Sequence, residues 1–397
     1  MEACVGRRLL VVGQLRVQSV DRSVGWKSFT IVEADGRVHE GADRFLALHD
    51  GSGTQRTYAY CLVDHLRWCV REGLAPGRVT LRDLERYMGA VGAKIPGPLG
   101  VPWRVGKRPY GDSALSTAAA CLKGFYLEQA KSGVNRALAE ELDRSRLPTR
   151  ADRRRRLLGH VTGRVAANPL APQRVRRRHP KMLPEGAKEK LLPVLTYARD
   201  RLVVQWLADG GLRIGELCGL HLADLHLRSD AACGECRSPH VHVCRRHDNP
   251  NDALAKGRVP WSVEDGTVIG GLIKRVSPAM VHAYFDYIVG ERRTVAAGHE
   301  LLLVQLAGPG IGQAWAPAAA RGMLRRAGRR AGLGRVRPHM FRHSFATAVL
   351  EASGGNLVVA REAGGWASTA MVDEIYAHVD LHDLAFDAAL RTVWGQR

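Results

Sequence analysis

Apolar positions recur along this chain with a helical period in two separated blocks, divided by a basic stretch poor in core-forming residues. In the first block the pattern predicts helices over residues 42–49, 54–73, 80–91 and 113–132. Tyr58, Leu62, His65, Leu66 and Cys69 step by three and four, which gives one buried stripe and one polar face. Thr80 with Asp83 three residues on is a variant capping signal for the third helix. Residues 1–38 alternate around the segment 28–32 and contain the turn pair Asp35-Gly36, so they read as a strand-bearing lead-in. In the second block helices are expected at 185–196, 198–209, 277–289, 316–331, 337–350 and 357–363, the third of these opened by Ser277 as cap and Pro278 just inside it. Between them His240-Val-His-Val243 alternates, residues 256–262 are extended, and Asn249-Pro-Asn-Asp252 supplies a turn. The expected fold is mainly α with a small antiparallel β-sheet (α+β). Its segments are a lead-in (1–38), a helical domain (39–140), a basic interdomain linker (141–181) and a second globular domain with a C-terminal tail (182–397).

Charge narrows the partner. The 397 residues carry 59 Lys plus Arg against 39 Asp plus Glu, a net charge of +20, which calls for a polyanion. No apolar run is long enough to span a bilayer and no export signal is read, so nucleic acid is favoured over a membrane and a cytoplasmic location is expected. Residues 144–181 hold 13 Lys or Arg against one acid, Asp152, and are either a solvated linker or a strap along phosphates, with Arg176, Arg177 and Arg178 as candidate phosphate contacts. The Pro- and Gly-rich stretch 94–109 carries Lys94, Arg104, Lys107 and Arg108, a second candidate for phosphate contact. The eight cysteines read as reduced, mostly buried thiols. One group stands apart: Cys233 and Cys236, followed by His240, His242 and Cys244, are spaced either as zinc ligands or as a polar loop leading into a strand.

Three short motifs carry chemistry. Asp209-Gly-Gly-Leu-Arg213-Ile-Gly-Glu216 places an arginine at a helix start after two glycines, a position suited to phosphate, although a surface arginine there is common. His339 and Arg342 lie three residues apart on one face of a helix that follows Pro338, so both can grip one phosphate. Ile375-Tyr376-Ala-His378-Val379 supplies a hydroxyl nucleophile, or else a core tyrosine.

Together, Gly-Leu-Arg-Ile-Gly-Glu-Leu, His-x-x-Arg-His-Ser-Phe-Ala-Thr, Gly-Gly-Trp-Ala-Ser and Ile-Tyr-Ala-His-Val resemble, in order and spacing, the tyrosine recombinase (phage integrase) signature. The resemblance covers residue 180 to the end for the catalytic domain, and less specifically residues 41–133 as a helical SAM-like core-binding domain. It implies a C-shaped clamp on DNA. It further implies that Arg213 and Arg342 clamp the scissile phosphate, His339 assists proton transfer, Trp366 donates its indole N–H, and Tyr376 forms a 3′-phosphotyrosyl link. Lys256, followed by Gly257-Arg258-Val-Pro260, is the candidate to protonate the leaving 5′ oxygen, with Lys274 the next choice; Arg258 is a further DNA contact. Glu216 and His343 are expected in support. The segment before Trp366, Ala363-Gly364-Gly365, departs from the family's Leu-Gly, and the interval to Tyr376 is one residue longer. The implied reaction is site-specific strand exchange, in integration, transposition or resolution, without ATP or a catalytic metal. The implied assembly is a homo-tetramer on two duplexes at recombination sites, monomeric or weakly associated when free, with room for DNA-bending or co-recombinase partners. No cofactor is expected.

Overall fold

The computed structural model describes residues 15–22, 27–93, 102–103, 108–149, 163–172, 181–366, 368–369 and 372. The chain forms two compact units, residues 1–177 and 178–397.

The N-terminal unit opens with an antiparallel pair, β1 (Arg16–Asp21) and β2 (Lys27–Val32). Five helices follow: α1 (Glu40–Ala47), α2 (Gly53–Arg71), α3 (Leu81–Gly92), α4 (Asp112–Lys131) and α5 (Arg136–Leu142). The first four lie within two residues of the ranges that periodicity predicts. Thr80 and Asp83 form a reciprocal capping box at the start of α3, satisfying two otherwise orphaned N–H groups. The buried stripe of α2 meets Phe45, Tyr87, Leu122, Phe125 and Tyr126 in one aromatic-rich core. Part of the basic stretch joins this unit: β3 (Ser145–Arg146) pairs with β4 (Val165–Ala166), Lys123 donates to the Ala167 carbonyl, and Leu170 is buried in the core. These segments are held because their backbone finds partners and Val165 and Leu170 are buried, despite the charge around them.

In the C-terminal unit the helices are α6 (Ala187–Leu191), α7 (Ala198–Gly210), α8 (Ile214–Cys218), α9 (Pro278–Gly290), α10 (Pro317–Arg330), α11 (Pro338–Ala352) and α12 (Leu357–Gly364). Ser277 caps α9 by accepting from the Met280 N–H, with Pro278 in its first turn. A three-stranded antiparallel sheet, ordered β5 (Leu225–His226), β6 (His240–Val243), β9 (Leu272–Arg275), lies beside the helices. The extended stretch expected at 256–262 is in fact the approach to a hairpin, β7 (Trp261–Glu264) with β8 (Thr267–Gly270). Asp265 and Gly266, both at positive φ, make its two-residue turn, the Asp-Gly pairing that such hairpins favour. The core of the unit is built on α7, whose Leu202, Val203, Trp206 and Leu207 are fully buried.

Candidate active site

The glycine turn after α7 organises the site. Gly211 ends that helix in the left-handed conformation at φ 57°, and a side chain there would collide with the Phe345 ring of α11, so both backbone and packing require glycine. The turn delivers Arg213 to the N-cap of α8. There the buried Glu216 carboxylate accepts from the Arg213 N–H at 2.8 Å and from its Nη1 at 2.5 Å, which fixes the guanidinium. Arg342, 3% exposed on α11, donates to the Gly211 carbonyl at 2.8 Å. One turn of backbone thus holds both arginines.

Trp366 is buried beyond the end of α12, with the Arg342 guanidinium 4.1 Å above its ring centroid. The Ala-Gly-Gly departure has a local cause. A Cβ on Gly364 would overlap the Trp366 ring, and Gly365 is left-handed at φ 66° and packed on Leu272.

His339 sits in the first turn of α11 at the wall of a cleft of about 720 Å³. Partial burial, then the cations Arg342, Arg213, Lys256 and Arg321, hold its imidazole below the ordinary value of 6.5, so it is neutral at pH 7. Its ring lies 5.9 Å from that of His343 one turn on. Arg213 lines the same cleft with Arg321, Arg325, Arg335 and Arg337. Sequence reasoning missed these four; the signal available was the i, i+4 pair Arg321 and Arg325 on the helix that precedes His339.

The segment leading to Lys256 is pinned from inside. Asn249 is buried and donates to the Ala253 carbonyl, and its Oδ1 lies 2.8 Å from His221 Nε2. Asn251, also buried, donates to the Cys218 and Trp315 carbonyls. Gly215 has no Cβ to strike the Leu254 carbonyl, so the segment lies flat on α8 and ends with Lys256 exposed. Lys274 is placed differently. It is 2% exposed on β9, its Nζ donates to the Ala363 carbonyl, and burial together with Arg342 and Arg213 pulls its ammonium down to about 7.

Of the DNA-contact candidates, Arg108 and Arg258 are exposed, while Lys94, Arg104, Lys107, Arg176, Arg177 and Arg178 lie outside the described residues. Tyr376 and the tail also lie outside them. The zinc group is corrected. Cys233 and His240 converge with His226 and His242, but Cys236 and Cys244 do not belong to the cluster. Cys244 falls past the end of β6, where its thiol sits by Gly271 and the Arg246–Asp224 ion pair; Cys236 stays on the part-exposed loop.

Two arginines on one turn, a histidine held below its ordinary value and a cleft lined by further arginines form a site suited to an anionic phosphate group. Residues 276–382 match the model of the phage integrase family. A tyrosine recombinase XerC of Xanthomonas campestris pv. campestris (strain B100) is 30% identical over 244 residues, 59% of this chain and 63% of that protein. Transposase A of transposon Tn554 from Staphylococcus aureus is 24% identical over 228 residues, 57% of this chain and 56% of that one. The chain therefore spans less than two thirds of the length of these relatives. Among solved structures, the Tn1549 transposon integrase in complex with transposon right end DNA shares the fold, with a TM-score of 0.54 at 16% identity over 89% of this chain and 98% of that one. By these likenesses the chain is similar to the tyrosine recombinases, and its fold is theirs.

Proposed function

We propose that this protein is a site-specific DNA recombinase that cuts and rejoins strands through a 3′-phosphotyrosyl intermediate at Tyr376. The observation that carries it is the convergence of Arg213 and Arg342 on Gly211, beside a neutral His339. Two guanidinium groups held by neighbours rather than by substrate are preorganised for the charge that develops on a phosphoryl group in transfer. His339, uncharged at pH 7, is able to take the phenol proton as the Tyr376 oxygen bonds to phosphorus. Trp366 stacks under Arg342 and holds its plane. The departing 5′ oxygen takes a proton from Lys256, which is exposed and close enough for its charge to reach His339. Lys274 is the poorer donor, because it is buried and its Nζ is committed to a carbonyl. Rejoining reverses these steps with a partner strand's 5′ hydroxyl, so the phosphoester energy is conserved and no ATP is consumed.

The basic cleft and the net charge of +20 support duplex DNA as the partner. In this reading four copies act on two duplexes, accessory DNA-bending proteins assist, Arg108 and Arg258 touch phosphate, and the protein works in the cytoplasm at the nucleoid. Among the described residues no helix is long and apolar enough to cross a membrane. The test uses nicked duplexes tiled across the DNA flanking the gene. Wild type should trap denaturation-resistant protein–DNA adducts on one short sequence, and Tyr376→Phe none. Equal yields from both proteins, or no adduct on any duplex, would overturn the reading.

A further inference from the structure

We propose that His226, Cys233, His240 and His242 bind one zinc ion that locks the loop 227–239 onto the three-stranded sheet. The inference stands apart from the strand-transfer reading. The four donor atoms all lie within 4.8 Å of one another, and Cys233, His240 and His242 are buried. The sheet register explains the convergence. His226 on β5 is directly opposite His240 on β6, and His242 follows two residues along, on the same face. The loop between the strands then carries Cys233 over that face.

The hydrogen bonds argue for a cation at the centre. His240 Nδ1 lies 2.7 Å from the Ser238 carbonyl and His242 Nδ1 lies 2.6 Å from the Gly270 carbonyl. A carbonyl only accepts, so each Nδ1 carries a proton and each Nε2 is the ring atom turned inward to serve as ligand. Those two Nε2 atoms are 3.2 Å apart, and Cys233 Sγ is 3.2 Å from His240 Nε2. One cation placed among them would take all three atoms as ligands at once. Tetrahedral zinc with the usual Zn–N and Zn–S lengths sets ligand atoms about 3.3 Å (N to N) and about 3.6 Å (S to N) apart, close to the spacing found.

Three imidazoles and one thiolate suit zinc, and four protein donors leave no position for substrate, so the ion is structural. Its mechanical role follows from the attachments. The loop residue Glu235 accepts from the Gly270 N–H at 3.1 Å, and His242 binds the carbonyl of the same residue. The ion therefore ties the loop, β6 and the base of the β7–β8 hairpin, which lies just beyond Lys256, into one block.

The test is metal content. The full chain, prepared without a polyhistidine tag, should retain about one zinc by native mass spectrometry and elemental analysis. His226→Ala and Cys233→Ser should lose most of it, or bind added zinc at least tenfold more weakly, while Cys236→Ser and Cys244→Ser keep it. Should a ligand variant fail to fold, cobalt decides the matter on wild type: chelator-stripped protein reloaded with Co²⁺ should show tetrahedral visible bands and a thiolate-to-cobalt charge-transfer band. Folded wild type that takes up no zinc and gives no such bands would overturn the proposal, as would zinc kept by His226→Ala and lost from Cys236→Ser.

Discussion

The two units bury polar groups in opposite ways. Among the described residues, the buried polar side chains of the N-terminal unit are Ser28, Thr30, Gln55, His65 and Gln129, all uncharged at neutral pH, since burial drives the His65 imidazole down to about 3. The C-terminal unit buries Arg199, Asp200, Glu216, Asp224, Lys274 and Arg342. An ionised group out of water costs several kcal/mol unless its partners are well placed, so a fold needing only stability has little reason to keep six. Most of these six are paired. Arg199 bonds Asp200 and faces the Trp315 ring, Arg246 forks onto Asp224 through two bonds of 2.7 and 2.8 Å, and Glu216 grips Arg213. The N-terminal unit is built for packing, and the C-terminal one spends stability on fixed charge, part of which, Glu216 and Arg342, sets the two arginines of the site.

That contrast is open to breaking first at its strongest point. Arg342→Ala should slow adduct formation by about 10²–10³-fold, the loss seen when one preorganised donor is taken from a developing oxyanion. Affinity for DNA measured by gel shift should change only a few-fold, because the rest of the basic cleft remains. A comparable drop in binding and cleavage would show that Arg342 works as a general anchor.

Next comes Glu216→Gln, which leaves the Arg213 guanidinium against a neutral acceptor. It should destabilise the C-terminal unit by about 2–4 kcal/mol in denaturant unfolding, at the low end of a fully buried pair because Arg213 is part exposed. The matched change in the other unit is Gln55→Met, which orphans the Phe29 N–H and leaves the Leu46 carbonyl with only its backbone partner, the His49 N–H, and should cost only about 1–2 kcal/mol. Equal costs would erase the distinction between the two cores.

How much of this was legible beforehand follows the same divide. Helix periods and caps exposed the N-terminal core, because a stripe such as that of α2 records its own burial. The motif arginines, His339 and Trp366 were legible as motifs, and they meet in space. Hidden were the features that depend on pairing between distant segments: Asn249 and Asn251 bolting the segment before Lys256, the arginines brought by α10 and the segment 335–337, and His226 set opposite His240. Strand register is invisible until the strands are paired. Asp265-Gly266 is a different case, a turn signal present in the chain and passed over. The basic stretch misleads in its own way, since its charge conceals Leu170, which packs home.

Lys274 carries the comparison into pH. Its folded-state value is about 7 against an ordinary 10.5, so between those two values the unfolded chain binds more protons and stability rises with pH. The C-terminal unit should therefore lose about 2–3 kcal/mol on going from pH 9 to pH 7, read as faster hydrogen exchange in β9 and α12 after correction for intrinsic rates. Lys274→Met, close in volume, should abolish that slope. A slope that persists in the variant would place its origin elsewhere.

His65 gives the corresponding limb in the N-terminal unit, in a different window and with a smaller effect. Its ring is fully buried, with Nε2 2.8 Å from the Tyr126 hydroxyl, and takes up a proton in the folded state only near pH 3, whereas an unfolded histidine does so near 6.5. Stability contributed by the neutral ring is thus complete above 6.5 and falls as pH drops toward 3, by about 2 kcal/mol at pH 5. Exchange in α2 and α4 should quicken over that range while β9, whose Lys274 is already protonated in both states, gains no further slope from it. His65→Gln should flatten the α2 and α4 response. If both units instead responded together below pH 6.5, the acid limb would belong to a group that they share, and the assignment of neutral burial to one unit and charged burial to the other would no longer account for their separate behaviour.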